Sequence, residues 1–257
     1  MSEFEGERIA KVIARAGVCS RRDAERLIGE GRVKLNGAVL KTAATNVTAK
    51  DKILIDNQPL PQKEETRLWI YHKPAGLVVS NHDPEGRPTI FEKLREQLPR
   101  VVSIGRLDIN TEGLLLLTND GELARFLELP ATGWIRRYRV RAYGRVNEDA
   151  LKKIEKGVEI DGVKYGPIEA KLETAQGDNQ WLTISIREGK NREVKRICEY
   201  LSLQVNRLIR VNFGPFVLGE LARGGIEEVP ARAMKSSVGE KYFKREDADR
   251  RRKVQRP

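Results

Sequence analysis

The residues able to do covalent or proton chemistry are few. The chain has two histidines, His72 and His82, and two cysteines, Cys19 and Cys198, with neither histidine near a cysteine. A zinc site therefore has no ligand set at the usual spacing. No G-x-x-x-x-G-K-[ST] loop is present to cradle a phosphate, and no G-x-S-x-G elbow to carry a serine nucleophile. Paired aspartates at two-metal spacing are missing as well. What remains is one acid in an unusual place. In GRLDINTEGLLLLTND, Asp108 sits between Leu107 and Ile109, two residues after Arg106. An aspartate can act as a covalent nucleophile. An Asp ahead of Asn-Thr can equally serve as a turn or cap residue, and the residues alone leave both readings standing.

Whatever Asp108 does, the surrounding elements must hold it. Leu114 to Leu117 read as a short buried strand, closed by the turn Asn119-Asp120-Gly121. Asp120 then caps a helix over ELARFLEL that stops at Pro130. Upstream, LWIYHKP is a strand ending at Pro74, SNHDPEGRPT a loop and IFEKLREQL a short helix. Downstream, RRYRVRAYG alternates Tyr138, Val140 and Ala142 with arginines, a strand pattern. ALKKIEKGV reads as helix, and QWLTISIRE as a strand with Leu182, Ile184 and Ile186 on one face. NREVKRICEYLSL places Val194, Ile197, Cys198 and Leu201 on one side of a helix, and VNRLIRVNFGPFVL returns as strands. Strands and helices mix without regular βαβ repetition. The pattern predicts an α+β domain on a mixed, largely antiparallel sheet with flanking helices.

Ahead of this domain, residues 8–31 read as two short helices. Ile9, Val12, Ile13 and Ala16 share one face, and Ser20 caps a second helix that turns Ala24, Leu27 and Ile28 inward. VKLNGAVL is a hairpin through Asn36-Gly37. The net charge of +11 gathers at the two ends of the 257-residue chain. Residues 6–55 hold 11 Lys/Arg against 5 Asp/Glu, and residues 235–257 hold 9 against 4. A basic module beside a nearly neutral core fits a nucleic-acid binder. DNQPLPQKEETR, with Pro59 and Pro61, reads as a linker over 56–67, and the polar, basic stretch 235–257 as a disordered tail. No apolar run approaches the ~20 residues a bilayer-spanning helix needs. The N-terminus lacks the apolar region of a secretory signal, so a cytoplasmic protein is expected. No uncovered apolar stripe demands a partner, and a monomer is expected.

Two sets of motifs resemble known families. SRRDAERLIGEGRVKLNG, with its helix, helix and hairpin, resembles the S4 RNA-binding module. That resemblance implies RNA contacts by Ser20, Arg21, Arg22, Arg32 and Lys34. GRLDINTEGLLLLTND resembles, residue for residue, the signature of the small-ribosomal-subunit type (RsuA-like) family of pseudouridine synthases. YHKPAGLVVSNHDPEGRPTIFEKL, RRYRVRAYG and EGKNREVKRICEYLSLQVNRLIRV agree in the same order. The GKNREVKR form is closest to the large-subunit branch of type B; small-subunit relatives tend to carry His-Gln where Arg192-Glu193 stand. Leu129-Pro130 departs from a frequent His-Pro.

The resemblance reaches to about residue 234. It implies a small α/β S4 domain over 6–55 and a catalytic domain over 68–234. It also implies conversion of a uridine to pseudouridine in 23S, large-subunit ribosomal RNA or its assembly intermediate, without cofactor or metal. Asp108 would initiate breakage of the N-glycosidic bond. A carboxylate in a dry pocket needs a cation to stay charged, and Lys195 matches the family's basic partner. By the same resemblance Arg106 orients the flipped nucleotide, Tyr138 stacks on the base and Val194 packs against the uracil. Physics alone also allows Tyr138 as a core residue, Lys195 as a surface partner of Glu199, and Val194 as part of the apolar stripe. The same chemistry on small-subunit rRNA or tRNA, and a non-catalytic S4-type assembly factor, stand as alternatives.

Overall fold

The computed structural model describes residues 6–239 and 242–243. At the N-terminus β1 (Glu7–Arg8) leads into α1 (Ile9–Arg15) and α2 (Arg21–Gly29). The Ser20 hydroxyl accepts the Asp23 N–H at 3.1 Å, which satisfies one donor that a helix start leaves open. β2 (Val33–Leu35) and β3 (Ala38–Val39) turn over through Asn36 and Gly37, both at positive φ, as a two-residue hairpin requires. β4 (Asn46–Val47) pairs with β1, while β5 (Ile53–Ile55) and β6 (Gln58–Pro59) complete a sheet ordered β3-β2-β5-β6. Ile9, Ile13, Ala24, Ile28 and Val33 close a small core of their own.

β6 corrects the expected linker. Gln58–Pro59 belongs to the N-terminal sheet, and the Leu60 N–H continues the ladder to the Ile53 carbonyl at 3.1 Å. The rest of the connection is tied to the larger domain. Lys63 Nζ and Thr66 Oγ1 donate to Asp120 at 3.0 and 2.7 Å, and the Arg67 N–H donates to Asn119 at 2.8 Å. Asp120 also caps the following helix through the N–H groups of Glu122 and Leu123. Burial works against its ionisation, but Lys63 and the bonds from Thr66 and Glu122 outweigh it and hold the carboxyl below its ordinary value.

The larger domain contains β7 (Leu68–Lys73), α3 (Ile90–Leu94), β8 (Val102–Ile104), β9 (Thr111–Thr118) and α4 (Gly121–Glu128). Then come β10 (Arg136–Tyr143), α5 (Glu148–Ile154), β11 (Val158–Ile160), β12 (Val163–Tyr165), β13 (Glu169–Gln176) and β14 (Asn179–Ile186). α6 (Glu193–Tyr200), β15 (Gln204–Phe213), β16 (Phe216–Val217), β17 (Ile226–Glu228) and α7 (Ala231–Val238) follow. Nine strands form one sheet in the order β13-β14-β10-β15-β9-β7-β17, with β16 beside β15 and β8 beside β9. Among the described residues of this sheet, β9 and β15 pair in parallel and the other neighbours are antiparallel.

The leucine run is longer as a strand than its four leucines: all eight residues of β9 are buried. Leu115 and Leu117 face one apolar core, and Leu114 and Leu116 face the other. A strand covered on both faces reads as a continuous apolar run, which is why alternation is lost here. Gly113, at φ +105°, permits the tight parallel pairing, since a Cβ there would lie 2.3 Å from the Arg210 carbonyl oxygen.

α7 corrects the start of the expected tail. Residues 235–238 form its last turn, and Met234, Val238 and Tyr242 bury in the second core. Residues 240–241 and 244–257 of that stretch lie outside the described residues. Among the described residues, no helix is long and apolar enough to cross a membrane.

Candidate active site

Asp108 stands on a loop whose backbone is fixed before any side chain is considered. Buried Leu107 anchors one side in the first core. The Thr111 N–H closes a turn on the Asp108 carbonyl at 2.9 Å, and the Gly76 N–H holds the Ile109 carbonyl at 2.8 Å. Lys73, at the end of β7 and fully buried, points its ammonium into the same loop. Its Nζ donates to the carbonyls of Pro74, Asp108, Ile109 and Thr111 at 3.0, 3.2, 3.1 and 3.0 Å. Burial pulls the Lys73 ammonium down to about 8, while the charges of Asp108 and Glu112 oppose that shift. A lysine so placed is a clamp on the loop rather than a free acid or base.

The loop presents the Asp108 carboxylate to the first turn of α6, where Lys195 Nζ donates to Oδ2 at 3.1 Å. The two side chains are 37% and 14% exposed, so the carboxylate stays accessible while its partner is nearly enclosed. Both face a cleft of about 1080 Å³, ample for a nucleotide, that Arg106, Tyr138 and Val194 also line. Tyr138 is buried on β10 and Val194 on α6, and each packs in the first core while lining the cleft. Arg106 is exposed at the rim and makes no ion pair among the described residues. The expected constellation therefore meets in one place, although Asp108, Tyr138 and Lys195 come from three separate elements.

The S4-type residues divide into two kinds. Arg21 and Arg22 are exposed on the first turn of α2 and have no ion-pair partner among the described residues. Arg32 makes a two-point contact with Asp56 at 2.8 and 2.6 Å, and Lys34 donates to Asn57 at 2.8 Å. Ser20 spends its hydroxyl as the helix cap and as a donor to Asp23 at 2.6 Å.

Several residues in the cleft wall or beneath it were not anticipated. Lys73 carried one signal, a lysine closing an otherwise apolar strand at LWIYHKP. Arg210 carried a similar one, an arginine inside the buried run RLIRV. Arg136 sits two residues before Tyr138 on the same strand and lines the cleft with Arg210. Glu193 begins α6, is 3% exposed, and accepts the Lys190 N–H at 2.8 Å. Burial, with the nearby Glu188 charge, pushes its carboxyl up to about 7. No signal in its surroundings distinguished it from a first-turn helix acid. Among the described residues no cluster of His, Cys, Asp or Glu could hold a metal ion.

Comparison with known proteins shows the family. Residues 67–200 match the family model described as RNA pseudouridylate synthase, and residues 7–53 match the S4 domain. A Rickettsia felis protein described as an uncharacterized RNA pseudouridine synthase is 49% identical over 223 residues, covering 87% of this chain and 96% of that one. Ribosomal large subunit pseudouridine synthase B of Pasteurella multocida is 44% identical over 232 residues, covering 88% of this chain and 67% of that one. A crystal structure of a pseudouridylate synthase superposes with a TM-score of 0.63 at 30% identity, covering 91% of this chain and all of that one.

Proposed function

The chain belongs to the RNA pseudouridylate synthase family, and from that premise we propose that it isomerises a specific uridine in large-subunit ribosomal RNA, with Asp108 as the catalytic residue. The observation that carries this reading is the Asp108–Lys195 pair at 3.1 Å on the wall of a nucleotide-sized cleft. The large-subunit address is supported by the similarity to synthase B of Pasteurella multocida.

In this mechanism the target uridine leaves its helix and enters the cleft. Asp108, as nucleophile or charge stabiliser, initiates breakage of the bond between N1 and the ribose C1′. The freed uracil turns, C5 bonds to C1′, and the proton leaving C5 is replaced by one gained at N1. Atoms and electrons balance within the substrate. Lys195 fixes the carboxylate in one orientation through its 3.1 Å hydrogen bond. Tyr138 stacks on the uracil, Val194 packs against its edge, and Arg106 orients the flipped nucleotide from the rim. The N-terminal S4 domain supplies affinity: Arg21 and Arg22 take RNA phosphates, and Arg32, Lys34 and Ser20 complete that surface. The reaction belongs in the cytoplasm, where ribosomal RNA is modified.

Asp108→Asn keeps shape and removes the charge. It is expected to lower pseudouridine formation on 23S rRNA by roughly a thousandfold or more. Normal formation by this variant would overturn the mechanism. Mapping pseudouridines in a strain lacking the gene tests the address: loss of a small-subunit or tRNA position, with 23S rRNA intact, would overturn the large-subunit assignment.

A further inference from the structure

Arg136 and Arg210 in the cleft wall have no carboxylate partner among the described residues, unlike two more exposed arginines. Arg207 is neutralised by Glu112 through bonds of 2.8 and 3.0 Å, and Arg87 by Asp83 at 2.9 and 2.8 Å. Arg210 is 3% exposed, yet its Nε donates only to the Leu114 carbonyl at 2.8 Å, and its Nη2 is buried without any partner. Arg136, half-buried, donates to the carbonyls of Trp134 and Arg187, both at 3.1 Å. Neither guanidinium has an ion pair among the described residues.

The fold brings the two charges together. Arg210 is the cross-strand partner of Tyr138, and Arg136 is the partner of Phe213, with a bulge between the two pairs. That bulge lets Arg210 and Phe213 share a side of β15 although three residues separate them. Both guanidiniums consequently rest on one ring, at 4.8 Å for Arg136 and 5.1 Å for Arg210. Burial pulls the Arg136 guanidinium below its ordinary value, and the charge of Arg210 adds to that shift. Glu193, an acid in the cleft wall whose charge reaches Arg136, uses one oxygen on the Lys190 N–H, and its other oxygen is unpartnered among the described residues. Two enclosed like charges and a spare buried donor are costly unless an anion completes them. Arg136 lies about 7 Å along the strand from Tyr138, within one nucleotide of the base position.

We propose that Arg136 and Arg210, held over Phe213 in the wall of the Asp108 cleft, bind one phosphodiester phosphate of the RNA strand beside the flipped uridine. This rests on the reading of the cleft as a uridine site. Planar guanidiniums suit the role because two can share the oxygens of a single phosphate. The phosphate then locks the register of the strand, so the ribose C1′ comes to Asp108.

The test is calorimetric titration of the full chain with uridine, uridine 5′-monophosphate and uridine 3′-monophosphate at low salt. One monophosphate is expected to bind the wild type about tenfold or more tighter than uridine. Arg136→Met and Arg210→Met should each reduce that advantage to less than about twofold, and the double variant should lose no more, because one phosphate is shared. Arg210→Lys and the half-buried Arg136 position keep the test readable should Arg210→Met fail to fold. Equal wild-type affinity for uridine and both monophosphates, absence of monophosphate binding, or an advantage surviving in either variant would overturn the proposal. Pseudouridine formation by the wild type on 23S rRNA is measured in parallel. A phosphate preference without isomerisation sinks the substrate reading and spares the subsite; isomerisation without preference sinks the subsite alone.

Discussion

The S4 domain and the catalytic cleft are both rich in basic residues, but they hold them differently. On α2, Arg21 and Arg22 stand exposed and unpaired, free to follow a phosphate backbone wherever it runs. Lys73 beneath the Asp108 loop, and Arg136 and Arg210 in the cleft wall, are bonded to backbone carbonyls, so their positions are set before substrate arrives. The first arrangement supplies affinity, which tolerates many geometries and weakens with salt. The second supplies geometry, which catalysis requires to be paid for during folding rather than at the moment of reaction.

Substitutions on either side of that contrast test it. After Asp108→Asn, Lys195→Met should cost the most, roughly a hundredfold in single-turnover rate on 23S rRNA, since Asp108 loses its fixed partner. A rate within about twofold of wild type would mean that the cleft does not depend on that pair. Lys73→Met should destabilise the protein by about 3 kcal/mol in urea unfolding, because four carbonyls lose a buried cationic donor. Activity should fall further than the unfolded fraction accounts for, as the Asp108 loop slackens.

Glu193→Gln probes the cleft through pH. The Glu193 carboxyl is raised from 4.5 to about 7, so the folded protein keeps a proton there that the unfolded chain releases. Its stabilising contribution is complete below about 4.5 and is lost as pH rises through about 7. The wild type should therefore lose of order 2 kcal/mol relative to Glu193→Gln between about pH 5 and about pH 8. Parallel stability profiles for the two proteins would remove Glu193 as a titrating group. The smallest effect belongs to the S4 surface. Arg21→Ala and Arg22→Ala should each raise KM a few-fold and reduce the salt slope of binding by about 0.7 to 0.9. An unchanged slope would take α2 off the RNA.

Much of the fold was legible in order along the chain, because it rests on local rules. Ser20 and Asp120 cap the helices their types predict, and the Asn36-Gly37 hairpin follows from two residues that tolerate positive φ. Asp108 was visible as a carboxylate out of place, and family resemblance brought Tyr138 and Lys195 to it. Boundaries set by pairing were harder to see. Pro59 looked like linker because proline cannot donate to a ladder, yet β6 needs it only at the sheet edge. Residues 235–238 looked like tail because their polarity hid Val238, whose burial beside Met234 depends on the second core.

Residue order alone determined helices α1 to α6, the buried strand β9 and the single acid ahead of it, since caps, periodicity and turn chemistry act between near neighbours. Tertiary structure decided the company that acid keeps. The parallel pairing of β9 with β15, possible only because Gly113 lacks a side chain, sets the loop that carries Asp108 beside α6 and Lys195. The bulge in β15 gathers Arg136 and Arg210 over one ring. Electrostatic partners in a buried site are chosen by distance through space, and no spacing along the chain records that distance.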